Sequence, residues 1–206
     1  MPGMNIDILI FDGFDDLDAL GPNEVLRHAA RAGAPFDVSL VQLDGAERVV
    51  SGVGTTLVPD RALAERPDLV LVPGGGLLSD SPVGVLAEVE RGALPAALAR
   101  LHADGVTIAS VCTGAMLLGA AGLLAGRPAT TNRRALDRLR ETGAELIDAR
   151  VVDDGDILTA GGVTAGLDLA LWIVERQQGA EFATQLAAGI EYERQGEVWR
   201  SERAAA

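Results

Sequence analysis

Four short strand-like runs rich in aliphatic and β-branched residues, most of them followed by a helix-like stretch, constrain this chain more than any other feature. They cover residues 5–11, 36–43, 68–73 and 106–111. Residues 5–11 and 68–73 read as buried strands, 106–111 as a β-branched strand and 36–43 as a further strand. Strands of that kind, separated by helical stretches of ~10–15 residues, imply an α/β fold: one domain with a mostly parallel sheet flanked by helices on both faces. In such a sheet a ligand site belongs at the carboxyl ends of the strands.

The remaining elements are placed by their punctuation. A helix is predicted from near Pro22 to the stop signal at Gly33, short extended pieces over 49–58, and a helical zone from about Pro82 to Ala103. A short strand over 128–131 precedes a helix over 134–142 with Gly143 as its cap. Asp154-Gly155 between Val151-Val152 and 157–159 predicts a hairpin, and helices over 165–177 and 180–192 follow. Residues 105–126 carry no charged side chain and are long enough to span a bilayer. A β-branched strand, 106–111, feeding an Ala/Leu/Gly-rich buried helix, 113–124, explains the same letters, so no membrane association is expected.

Charge narrows the function classes. With 17 basic and 30 acidic residues the formal net charge is −13, spread along the chain, which disfavours nucleic acid and anionic membranes as partners. All the basic residues are arginine, so a Schiff-base lysine and a phosphate-loop lysine are both ruled out. One cysteine and two distant histidines leave no multi-cysteine metal site, and no metal or organic cofactor is expected. Asp7 and Asp12 interrupt the first apolar stretch, no cationic segment precedes it, and the cytoplasm is the expected compartment.

Ser110-Val-Cys-Thr-Gly114 sets the sole cysteine, Cys112, between a predicted strand and a predicted helix. That is the shape of a nucleophile elbow, in which a sharp turn presents a reactive side chain at the sheet's rim. Helix-start N–H groups favour a thiolate, so the expected Cys112 pKa lies well below the ordinary ~8.5. A lone cysteine is also commonly a small buried hydrophobe, and local context does not decide between the two. Asp15, Asp16 and Asp18 follow the first strand and should share the rim. A carboxyl packed against sulfur would stay protonated and serve as an acid; Asp18, beside apolar neighbours, fits best, and the other two read as solvated loop acids. Pro73-Gly-Gly-Gly76 suits close backbone approach to a ligand, but Ser79 stands where a dinucleotide fingerprint needs glycine. His28 and His102 read as solvated helix residues, Trp172 as core, and Trp199 stays open.

Taken together these residues resemble the ThiJ/PfpI superfamily, a flavodoxin-like sandwich, and within it the isocyanide hydratase branch and the amidase-like domains of AraC-type regulators. The likeness runs from about residue 5 to 192. It rests on Leu17-Asp-Ala-Leu-Gly-Pro22, Val72-Pro-Gly-Gly75, the elbow, Ala129-Thr-Thr131 and Gly162-Val-Thr-Ala-Gly-Leu-Asp168. It implies Cys112 as nucleophile, Asp18 as its acidic partner, and an anion hole from the N–H groups of Gly75 and Thr113, with the Thr113 hydroxyl near the reacting atoms. Asn132 would take part in substrate binding; together with Arg133 it stands where such hydratases commonly carry His and Trp. The resemblance further implies a small-molecule substrate, a homodimer, and hydration of an isocyanide to an N-substituted formamide through a thioimidate. Glyoxalase-type action on 2-oxoaldehydes and a sensor role for Cys112 are the competing expectations; too few residues follow Tyr192 for a regulator's helix-turn-helix.

Overall fold

A computed structural model describes residues 3–77 and 81–205; Ser79 lies outside them. In chain order its elements are β1 (Met4–Leu9), α1 (Asp16–Arg31), β2 (Phe36–Gln42), β3 (Val49–Val50), β4 (Thr56–Leu57), β5 (Arg61–Ala62) and β6 (Leu69–Val72). Next come α2 (Val85–Arg91), α3 (Ala93–Ala103), β7 (Thr107–Val111), α4 (Ala115–Ala120), β8 (Pro128–Ala129), α5 (Leu136–Glu141) and β9 (Glu145–Leu146). The chain closes with β10 (Val151–Asp153), β11 (Ile157–Ala160), α6 (Ala165–Gln178), α7 (Ala180–Gly189) and β12 (Val198–Arg200).

The main sheet has the order β12-β10-β11-β7-β6-β1-β2-β5. From β5 to β11 every pairing is parallel; β10 runs antiparallel to β11, and β12 follows β10. The strands expected at 5–11, 68–73 and 106–111 are the central β1, β6 and β7. All four β6 residues are buried, as a strand covered on both faces requires. Helices α1, α6 and α7 pack on one another and α2 to α5 on one another, giving the sheet its two helical layers. No helix among the described residues is long and apolar enough to cross a membrane.

Several boundaries differ from the sequence reading. Helix α1 begins at Asp16, not near Pro22. Asp15 is its N-cap, with Oδ1 accepting the Leu17 N–H at 3.2 Å, and Asp16 and Asp18 sit in the first turn. Pro22 therefore lies inside the helix, where its missing N–H leaves the Asp18 carbonyl without an intrahelical donor. The zone from Pro82 to Ala103 is two helices, because Gly92 adopts φ +74° between them. The helix after the elbow ends at Ala120, the one after Asn132 begins as a 3₁₀ turn over Arg133–Ala135, and the last ends at Gly189 instead of Tyr192. The hairpin forms, with Val152 opposite Thr159 and the Asp154 N–H donating to Ile157 O, so that Gly155 and Asp156 make its turn. Strands β5, β9 and β12 carry too few residues for periodicity to show them; half-buried Trp199 lies in the last.

Candidate active site

The site is built where β7 ends. Cys112 follows Val111 directly and opens a 3₁₀ turn, Cys112–Gly114, that leads into α4. Its φ is +56°, a left-handed conformation that costs a non-glycine residue of order 1–3 kcal/mol and needs strong local support. The support is visible: the Cys112 N–H donates to Gly161 O at 2.9 Å, and its carbonyl accepts from Thr131 Oγ1 at 2.7 Å. Both main-chain polar groups are thus anchored, and the side chain is set by the backbone.

The sulfur meets three donors: the backbone N–H groups of Val163 and Thr113, and Asn132 Nδ2 at 3.4 Å. Asn132 is oriented for this, because its Oδ1 accepts the Arg134 N–H at 3.0 Å and only the NH₂ end is left for sulfur. Val163 is a second non-glycine residue with positive φ, +35°, so two strained backbones face each other across the thiol. Sequence reading found Asn132 and Thr113 but missed Val163, whose contribution is a main-chain N–H and leaves no mark in residue type.

Asp18 is wholly buried. Its Oδ2 accepts the Gly74 N–H at 2.9 Å, Oδ1 meets no nitrogen or oxygen donor among the described residues, and the carboxyl interacts with the Cys112 thiol. Burial above all, then the nearby Asp15 charge, pushes its pKa up to about 8 against the pull of Gly74 and Cys112. Glycine is required at 74: a Cβ there would lie 2.6 Å from Thr113 N and 3.0 Å from Asp18 Oδ2.

Two expectations change. Burial, followed by the charge of Asp18, pushes the Cys112 thiol up, not down; the three donors and a short 3₁₀ turn do not outweigh desolvation. The N–H groups of Gly75 and Thr113 do not form a pair of free donors either. Gly75 donates to Thr113 Oγ1 at 3.0 Å, while the Thr113 N–H faces the sulfur. Asp15 and Asp16 are half-buried at the start of α1 and not simply solvated. His28 and His102 lie away from the site, paired with Glu24 and Asp156, and Trp172 is buried with Nε1 on Asp153. Among the described residues no cluster of metal-ligating side chains occurs.

The loop that presents Val163 is itself braced. Arg150 Nη2 donates to Thr164 Oγ1 at 2.9 Å, Arg150 Nε and Tyr192 Oη bond to Asp168 Oδ2 at 2.5 and 2.8 Å, and Arg150 O accepts the Gly161 N–H at 2.9 Å.

Fold and site together define a class: an α/β sheet carrying a buried cysteine on a strained strand-to-helix elbow, with a proton-bearing carboxyl against it. The model of the DJ-1/PfpI family matches residues 4–176. The chain is 37% identical over 192 residues to isonitrile hydratase of Pseudomonas putida, covering 92% of this chain and 78% of that protein. It is 30% identical over 187 residues to the HTH-type transcriptional regulator CdhR of Pseudomonas aeruginosa, covering 87% of this chain and 52% of the regulator. The crystal structure of a ThiJ/PfpI family protein from Pseudomonas syringae superposes with a TM-score of 0.80 at 30% identity, covering 95% of this chain and 77% of that one. The protein described here belongs to the DJ-1/PfpI family.

Proposed function

We propose that this protein is a cofactor-independent hydratase of organic isocyanides, with Cys112 as nucleophile and Asp18 as acid and base. One observation carries the reading: a buried carboxyl whose pKa is pushed up to about 8 lies against the only thiol in the chain. When that pair holds a single proton, the proton belongs to both groups. Placed on oxygen, it leaves an anionic sulfur met by Val163 N–H, Thr113 N–H and the Asn132 amide.

An isocyanide carbon takes a nucleophile and a proton at the same atom, which matches that arrangement. Sulfur attacks the terminal carbon while Asp18 delivers its proton there, giving a thioimidate and an Asp18 carboxylate. Water then adds its oxygen to the carbon. One water proton returns to Asp18, the other goes to nitrogen, the carbon–sulfur bond breaks, and the thiolate leaves. The sum is R–NC + H₂O → R–NH–CHO, with both side chains restored. The similarity to isonitrile hydratase supports this choice among the family's chemistries.

The test is formamide production from a panel of alkyl and aryl isocyanides. Turnover by the wild type that disappears in Cys112→Ala is the expected result. Lactate release from methylglyoxal with isocyanides untouched would replace this reading with glyoxalase-type action. Oxidation of Cys112 by mild peroxide, with no turnover of any substrate, would replace it with sensing.

A further inference from the structure

Beside the elbow lies an open cleft of ≈ 830 Å³ that runs along residues 130–133 and 146–150. It adjoins the elbow through Asn132, which lines it and donates to the Cys112 sulfur, and through Thr131, whose hydroxyl holds the Cys112 carbonyl. Leu136, Leu146 and Ile147 give it apolar wall. Its two arginines differ in one respect. Arg150 is committed to Asp168, Thr164 and Tyr192, whereas Arg133 is exposed and makes no hydrogen bond or ion pair among the described residues. Arg133 directly follows Asn132, so this free guanidinium belongs to the chain neighbour of the residue whose amide is turned toward the sulfur.

We propose that the cleft receives isocyanides whose nitrogen substituent ends in a carboxylate, paired with Arg133. This rests on the hydratase reading and adds the substrate class. A guanidinium presents a fork of donors matched to a carboxylate, and in a partly apolar cleft the pair is less screened than on open surface. Arg133 directly follows Asn132, whose amide meets the sulfur, so short spacers between isocyanide and carboxylate are the ones to test. The protein's formal charge of −13 opposes anions at long range, so the selection is local to the cleft. The cleft also carries the exposed carboxylate of Asp148, which would favour a cationic tail instead.

Two measurements test this. In the first, kcat/KM for isocyanoacetate and 4-isocyanobutanoate is compared with that for their methyl esters. The acids are expected to lead by about tenfold, the worth of a charged hydrogen-bonded pair, and Arg133→Gln to bring the ratio near one; Arg138→Gln, a cation off the cleft, keeps it. In the second, calorimetry on Cys112→Ala follows N-formylglycine, its neutral amide and N-(2-aminoethyl)formamide, so the inference is read even if no isocyanide is turned over. N-formylglycine binding about tenfold tighter than the amide, lost in Arg133→Gln, supports it. Equal affinities, or preference for the amine, overturn the inference while leaving the hydratase reading intact; absence of all turnover with the carboxylate preference present overturns the hydratase reading alone.

Discussion

Asp18 and Asp154 are both wholly buried, at opposite ends of the same sheet, and only one of them keeps its proton at neutral pH. Asp18 lies at the carboxyl-end rim with no cation beside it among the described residues, and burial takes its pKa up to about 8. Asp154 lies in the turn between β10 and β11, at the amino-terminal end of β7. Burial pushes its pKa up too, but Ser201, Arg127 and Arg203 together hold it below the usual carboxylate range. Arg127 Nε and Arg203 Nη1 bond to its Oδ2 at 2.5 and 2.8 Å, and Arg127 also pairs with Asp156, which accepts His102 at 2.8 Å. Asp7 repeats the second pattern, wholly buried and gripped by Arg61. Burial alone thus does not keep a proton on a carboxyl in this molecule; burial without a cation does so at Asp18, the group proposed as the acid.

Replacing Asp18 by Asn should produce the largest break in that contrast. Turnover should fall by about 10³-fold, while the fold gains stability at pH 8 relative to pH 5. The sign follows from proton counting: between pH 4 and 8 the native carboxyl holds a proton that the unfolded chain releases, so wild-type stability falls as pH rises. Urea unfolding of both proteins should show their difference growing by at most about 1.4 kcal/mol per pH unit; a constant difference would mean that Asp18 is not held neutral. Arg127→Met tests the other end. It should cost about 3 kcal/mol by leaving Asp154 short of a cation, with the Cys112 alkylation rate unchanged. A third outcome concerns pH: turnover should rise through about pH 8 in the wild type as the Asp18–Cys112 pair gives up its first proton, and Asp18→Asn should lose that limb. Thr131→Val should have the smallest effect, about 1 kcal/mol in stability and a several-fold loss of rate, because it frees the Cys112 carbonyl without touching the sulfur.

How far the sequence foretold this depended on what each feature is made of. The central strands were legible because burial on both faces demands predominantly apolar runs, and the elbow because a cysteine between strand and helix is a statement in residue types. Asp18 was legible through its apolar neighbours. The start of α1 was misplaced because proline is at home in a first helical turn, and Pro22 outweighed the Asp15 cap. The direction of the Cys112 shift was missed for a related reason. Helix-start donors can be inferred from sequence order, but desolvation depends on what α6 and the loop at 161–164 lay over the site, a long-range fact. Val163 and the Arg150–Asp168–Tyr192 brace have the same origin, joining residues that sequence proximity does not associate.

A chain with one thiol, 5% exposed and rooted in a strained turn, contains its own reporter. Any thiol-specific reagent that adds mass must have reached the elbow, with no second thiol to confuse the stoichiometry. A series of reagents of graded bulk would therefore gauge the aperture above the site from labelling kinetics alone, before any substrate is known.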